Sequence, residues 1–62
     1  MEKNTVRFLR RKLALTQEEL AAKAGITVAT LSRLENRLHE PTPPTMKAIA
    51  SALGVKPASI NW

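Results

Sequence analysis

Apolar residues recur along most of the chain at helical spacing, and β-branched runs of the kind that build strands are missing. Val6, Leu9 and Leu13 stand at i, i+3 and i+7. They form one stripe and predict a helix from near Thr5 to about Leu13. Phe8 falls on the opposite side, as an exposed apolar contact or an incidental surface residue. Thr16-Gln17-Glu18-Glu19 is a capping box, with Leu15 and Leu20 as its hydrophobic staple. Leu20, Ala21 and Ala24 make the buried face of this second helix, and Gly25 supplies a left-handed stop. Thr27 caps a third helix. Ile26 and Leu31 repeat the staple, so LTQEEL and ITVATL share one pattern, read as repeated capping chemistry and not as a duplicated unit. Leu31 and Leu34 point inward, and Asn36 is the expected left-handed stop.

Residues 37–44, RLHEPTPP, cannot continue a helix because of Pro41, Pro43 and Pro44. Thr42 and Pro43 suit an N-cap and first helical position. Met46, Ile49, Ala50 and Leu53 then repeat at helical spacing up to Gly54. After Val55, a short fifth helix is expected to start at Pro57. There is no linker-like stretch. The expectation is one all-α domain over residues 1–62, a compact bundle of about five short helices.

The informative segment is 16–35, a helix, a three-residue turn containing Gly25, and a second helix over about 28–35. Helices joined so tightly cross steeply, and the second projects one face from the domain. With Ile26, Leu31 and Leu34 buried, that face carries Val28, Ala29, Ser32 and Arg33. Positions 28 and 32, and 29 and 33, lie one turn apart. A purely solvated face would hold more Lys and Glu.

Charge sharpens this picture. Ten Lys and Arg stand against five Glu in 62 residues, a formal net charge of +5 that favours polyanionic partners. A helix with a small, nearly uncharged face fits a DNA major groove. Val28 and Ala29 can meet thymine methyl groups, Ser32 can donate or accept, and Arg33 can bond guanine with two parallel N–H groups. The start of the second helix, with Gln17, and the residues Asn36 and Arg37 suit phosphate contacts.

The run LTQEELAAKAGITVATLSRLEN, with a Pro-containing loop and MKAIASALGV after it, resembles the lambda-repressor-like (Cro/XRE-type) helix-turn-helix family of phage repressors and bacterial regulators. The resemblance covers roughly Val6 to Ile60. It implies a sequence-specific double-stranded DNA-binding regulator, most often a repressor, located in the bacterial cytoplasm and acting as a homodimer on DNA. It places Val28, Ala29, Ser32 and Arg33 at base-contacting positions. Gln17, Thr27, Asn36, Arg37 and Leu38 become phosphate-contacting candidates. Arg10 and Glu35 match an ion pair joining the first helix to the end of the third. Three features depart from the family pattern. Arg37 stands where glycine is common, Val28 and Ala29 replace polar residues often seen there, and the fifth helix is cut short at Trp62.

Other residues offer little chemistry. Cysteine and aspartate are absent, so a Cys-containing zinc site and a nucleophilic triad are not expected. His39 is alone in a loop, and Glu18 and Glu19 do not face one another. No cofactor, metal or enzymatic activity is expected. No run approaches the roughly 20 apolar residues of a membrane span. Leu38, Ile60 and Trp62 could form a self-association patch or ordinary core contacts. Two other functions fit the same residues. One is an antitoxin-type regulator that also binds a toxin. The other is a protein-interaction module using the apolar Val28-Ala29 edge without reading DNA.

Overall fold

The computed structural model describes residues 3–62, so the expected domain of 1–62 begins two residues outside them. Four α-helices are found among the described residues: α1 (Val6–Lys12), α2 (Gln17–Ala24), α3 (Val28–Glu35) and α4 (Pro43–Leu53). The expected fifth helix is a single 3₁₀ turn, Pro57–Ser59. Its bonds run from Ser59 N–H to Lys56 O (2.9 Å) and Ile60 N–H to Pro57 O (3.2 Å). Such i to i+3 bonds close one turn and go no further.

These helices have 7, 8, 8 and 11 residues, too short to stand alone in water. Their ends are therefore held individually. Each is preceded by a threonine in extended conformation: Thr5, Thr16, Thr27 and Thr42. The first three accept a hydrogen bond from the backbone N–H three residues on, and Glu19 returns the bond to Thr16 N–H at 2.9 Å. Thr42 makes no backbone cap, and its hydroxyl meets that of Thr45 instead, at 3.1 Å.

The C-terminal ends share one device. Ala14, Gly25, Arg37 and Gly54 all have positive φ, and the next residue in each case is apolar: Leu15, Ile26, Leu38 and Val55. The N–H groups of Leu15, Ile26, Leu38 and Val55 bond back to Arg10, Ala21, Arg33 and Ala50 at 2.9–3.0 Å. This is the Schellman arrangement, which satisfies carbonyls that a helix end leaves open. Gly25 and Gly54 are the stops expected from sequence. Asn36 is not: it has φ −90° and ψ 4°, and the left-handed residue is Arg37, at φ 56°. Likewise α1 ends at Lys12, and Ala14 turns the chain away at φ 56°, leaving Leu13 half exposed outside the predicted stripe.

The core comprises Val6, Leu9, Leu20, Ala21, Leu31, Leu34, Ile49, Ala50, Leu53 and Ile60. Leu20, Leu31 and Ile49 are fully enclosed. Helix α4 packs on α2, and α1 packs on α3. Phe8 is no incidental surface residue: it is partly buried and packs against this core, as do Leu15, Ala24, Ile26, Val55 and Trp62. Trp62 is anchored through its indole N–H to Pro57 O at 3.2 Å, and Asn61 N–H bonds Asn4 O at 2.7 Å, tying the two ends of the domain together. Nothing lies within 4 Å of a Cβ placed on Gly25, so conformation and not space demands glycine there.

The same logic makes Ala14 a strained residue, since its Cβ crowds the carbonyl in the left-handed region. Ala14→Gly should raise stability by a few tenths to about 1 kcal/mol, after the greater freedom of glycine in the unfolded chain is subtracted. For a domain this small, that is a rise in Tm of up to several degrees. An unchanged or lower Tm in thermal unfolding would refute the strain.

Candidate nucleic-acid interface

Helix α3 is set by a buried carboxylate at its last turn. The Glu35 side chain is 0% exposed and Arg10 11% exposed, and Arg10 Nε donates to Glu35 Oε2 at 2.6 Å. Arg10 Nη2 reaches Oε1 at 3.1 Å, so the guanidinium meets the carboxylate with two bonds. Arg10 Nη1 donates to the Leu15 carbonyl at 2.9 Å, on the segment leading into α2. Gln17 Nε2, on the first residue of α2, donates to Oε1 at 3.1 Å. Arg7 Nε lies 3.4 Å from the same oxygen. One carboxylate thus binds α1, the start of α2 and the end of α3. Burial pushes the Glu35 carboxyl up, but the hydrogen bonds from Arg10 and Gln17, with the charge of Arg10 and the Arg7 bond, hold it below the ordinary glutamate range.

The solvent side of α3 is assembled from the residues that periodicity placed there. Val28, Ala29 and Arg33 are exposed and Ser32 is half-buried. The Arg33 side chain makes no hydrogen bond or ion pair with another described residue. Thr27 is occupied at the N-cap, accepting from Thr30 N–H at 3.1 Å. Asn36 continues the line of Val28 and Ser32 by one more turn. Its amide is used at both ends: Nδ2 donates to Ser32 O at 3.0 Å, and Oδ1 accepts from Arg7 Nη2 at 2.8 Å. Leu38 is the exception among the apolar residues that follow the helix stops. It is 77% exposed, whereas Leu15, Ile26 and Val55 pack against the core. Ile60 lies inside the core and offers no free surface, while Trp62 is half-buried. Arg37, His39, Glu40, Pro41, Met46 and Trp62 line an open cleft of about 370 Å³ on the loop side. Among the described residues no cluster suited to a metal ion is found, and no helix is long and apolar enough to cross a membrane.

Sequence reasoning paired Arg10 with Glu35 but gave no role to Arg7 and sent the Gln17 amide outward. The available signal was spacing. Arg7 and Arg10 lie at i and i+3 on α1, so both reach one side.

The α2–α3 pair, its three-residue turn and the framing helices are matched from residue 6 to residue 60 by the family model described as Helix-turn-helix, of Cro/C1 type. The chain belongs to this family. Among known helix-turn-helix proteins, it is 47% identical over 47 residues to an uncharacterized HTH-type transcriptional regulator, y4dJ, of Sinorhizobium fredii. That match covers 76% of this chain and 61% of the relative. An uncharacterized HTH-type transcriptional regulator of Methanothermobacter thermautotrophicus is 43% identical over 49 residues, 79% of this chain and 71% of that protein. The immunity repressor protein of Bacillus phage phi105 is 33% identical over 55 residues, 89% of this chain but 38% of its own length. The chain therefore spans about three fifths of the first relative and under two fifths of the phage repressor.

In this helix-turn-helix domain, Arg10→Ala removes the two-bonded partner of a buried carboxylate, leaving it Gln17 and the longer Arg7 approach, and should cost up to about 3–5 kcal/mol. Arg11→Ala, on an exposed residue of the same helix, should stay within about 0.5 kcal/mol. Equal melting temperatures for the two variants would dismiss the pair as a structural element. The pH dependence follows in sign. An acid held below its ordinary value contributes stability that is complete above that value and is lost as pH falls through the folded-state value. The wild-type Tm should therefore drop on acidification below about pH 5. Glu35→Gln should be less stable at neutral pH and show a flatter acid limb. An acid limb as steep as that of the wild type would place the titration elsewhere, for instance at Glu19, whose bonds to Thr16 also hold it low.

Proposed function

We propose that this domain is a sequence-specific reader of double-stranded DNA and acts as a repressor, with α3 lying in the major groove. The observation that carries the reading is the solvent face of α3. Its residues are small or apolar, so the helix backbone can approach base edges closely. Its one charged side chain, Arg33, has no partner among the described residues and suits the two acceptors of guanine. Val28 and Ala29 supply contacts for thymine methyl groups, and Ser32 supplies a hydroxyl. Thr27, Gln17, Asn36, Arg37 and Leu38 flank this face and serve the sugar-phosphate backbone, which positions the protein without specifying sequence. Gln17 and Asn36 do so with the side-chain donors their internal bonds leave over, and Gln17 also with its backbone N–H at the start of α2. Repression is supported by the phage relative, which is named an immunity repressor. Two copies on a two-fold site would place half-sites about 34–36 Å apart.

The test is selection from a pool of random duplexes at near-physiological salt. A two-fold symmetric motif with half-sites one helical turn apart is the expected product. A single half-site would remove the dimer from the reading. No retained duplex even at low salt would overturn it in favour of protein recognition by the Val28-Ala29 edge, and capture of a toxin would reveal an antitoxin. On the selected duplex, Arg33→Ala should cost about 1–3 kcal/mol and relax the preference at one base pair. A variant that weakens all sequences alike would move Arg33 from the base-reading to the phosphate-contacting group.

A further inference from the structure

Two guanidinium groups meet one carboxylate at the end of α3. Arg10 is nearly buried and has its Nε and both terminal nitrogens engaged, two on Glu35 and one on Leu15 O. It neutralises the carboxylate through short, paired bonds. Arg7 stands differently. Its approach to Glu35 is long, 3.4 Å from Nε, and its short bond, 2.8 Å, goes from Nη2 to the neutral amide of Asn36. The cluster therefore keeps one positive charge in excess, and that charge sits on Arg7. The Arg7 side chain is 36% exposed, the most open of the three charged groups.

Position and order matter as much as charge. Asn36 lies one turn beyond Ser32 and two beyond Val28 on α3, and its Nδ2 is fixed to Ser32 O. The Arg7 guanidinium is thus clamped at the C-terminal end of the stripe proposed to read bases. A lysine or arginine on a free surface loses rotamer freedom when it grips a ligand. Arg7 is already held at two points, and its planar fork is pre-organised for phosphate oxygens. We propose that Arg7 is a DNA phosphate contact, placed by Asn36 and Glu35 where the backbone flanks the groove occupied by α3. This rests on the DNA-reading function above.

The test is the salt dependence of binding to a mixed-sequence 30-base-pair duplex, for the wild type, Arg7→Lys and Arg7→Gln, with Tm measured for each. A residue that only braces the fold changes Tm but not the number of ions released on binding. The slope of log K against log salt should be shallower by about 0.9 for Arg7→Gln and unchanged for Arg7→Lys. An unchanged slope in folded Arg7→Gln overturns the proposal and leaves the DNA-reading function standing. No duplex binding by the wild type overturns both. A measurement on the unmodified protein guards against unfolding of the variant. On adding the duplex, the NMR signal of the Arg7 Nε–H should move while that of Arg10 stays in place. Movement at Arg10 with none at Arg7 also overturns the assignment.

Discussion

The Glu35 carboxylate governs the geometry of this domain. It is fully enclosed, yet it stays charged because donors from α1 and α2 converge on it. Burying a charge costs several kcal/mol, and a paired buried charge adds little net stability over an apolar filling. What the pair supplies is direction. Apolar contacts among Leu20, Leu31, Leu34 and Ile49 are tolerant of small rotations, whereas hydrogen bonds at 2.6–3.1 Å are not. The three-residue turn around Gly25 fixes where α3 begins. The Glu35 cluster fixes where it ends, and the two together set which face of α3 looks outward.

The short helices impose a second constraint. With 7 to 11 residues each, the unpaired groups at the ends are a large share of the backbone. Threonine precedes all four α-helices, and a left-handed residue followed by an apolar one closes all four. At Ala14 the apolar follower explains why a non-glycine residue is forced into the left-handed region. Burying Leu15 holds Ala14 at φ 56°. Arg37 has the same positive φ, but Leu38 remains in solvent. Packing of the follower therefore does not account for Arg37.

Much of this was legible from local chemistry. Thr16 with Glu19, Thr27, Gly25 and Gly54 signal helix ends through side chains whose conformational preferences are strong. The core faces of α2, α3 and α4 follow from 3.6-residue spacing. What escaped is what residue type does not announce. Alanine and arginine seldom take positive φ, so residue type gives no sign of Ala14 and points to Asn36 in place of Arg37. A stripe drawn through Leu13 leaves Phe8 on the opposite side, but α1 stops at Lys12 and Leu13 turns outward, so the buried arc shifts toward Phe8. The role of Arg7 depends on a partner 29 residues away, and no local window contains it.

The division of labour on the surface follows from these constraints. A side chain that sets the angle of α3 must be buried and fully bonded, as Arg10 is. One that identifies a base must be unbonded until the base arrives, as Arg33 is among the described residues. Arg7 and Asn36 fall between, ordered by internal bonds yet open on one side. Phosphates recur at regular intervals whatever the sequence, so a group that meets them gains from being fixed in advance. Base edges differ from site to site, and a group that tests them needs no rigid tether beyond its helix. On the proposed function, the ordered rim and the free centre of the α3 surface are therefore two outcomes of one requirement. The backbone contacts fix the register, and only within that register can so few side chains discriminate among bases.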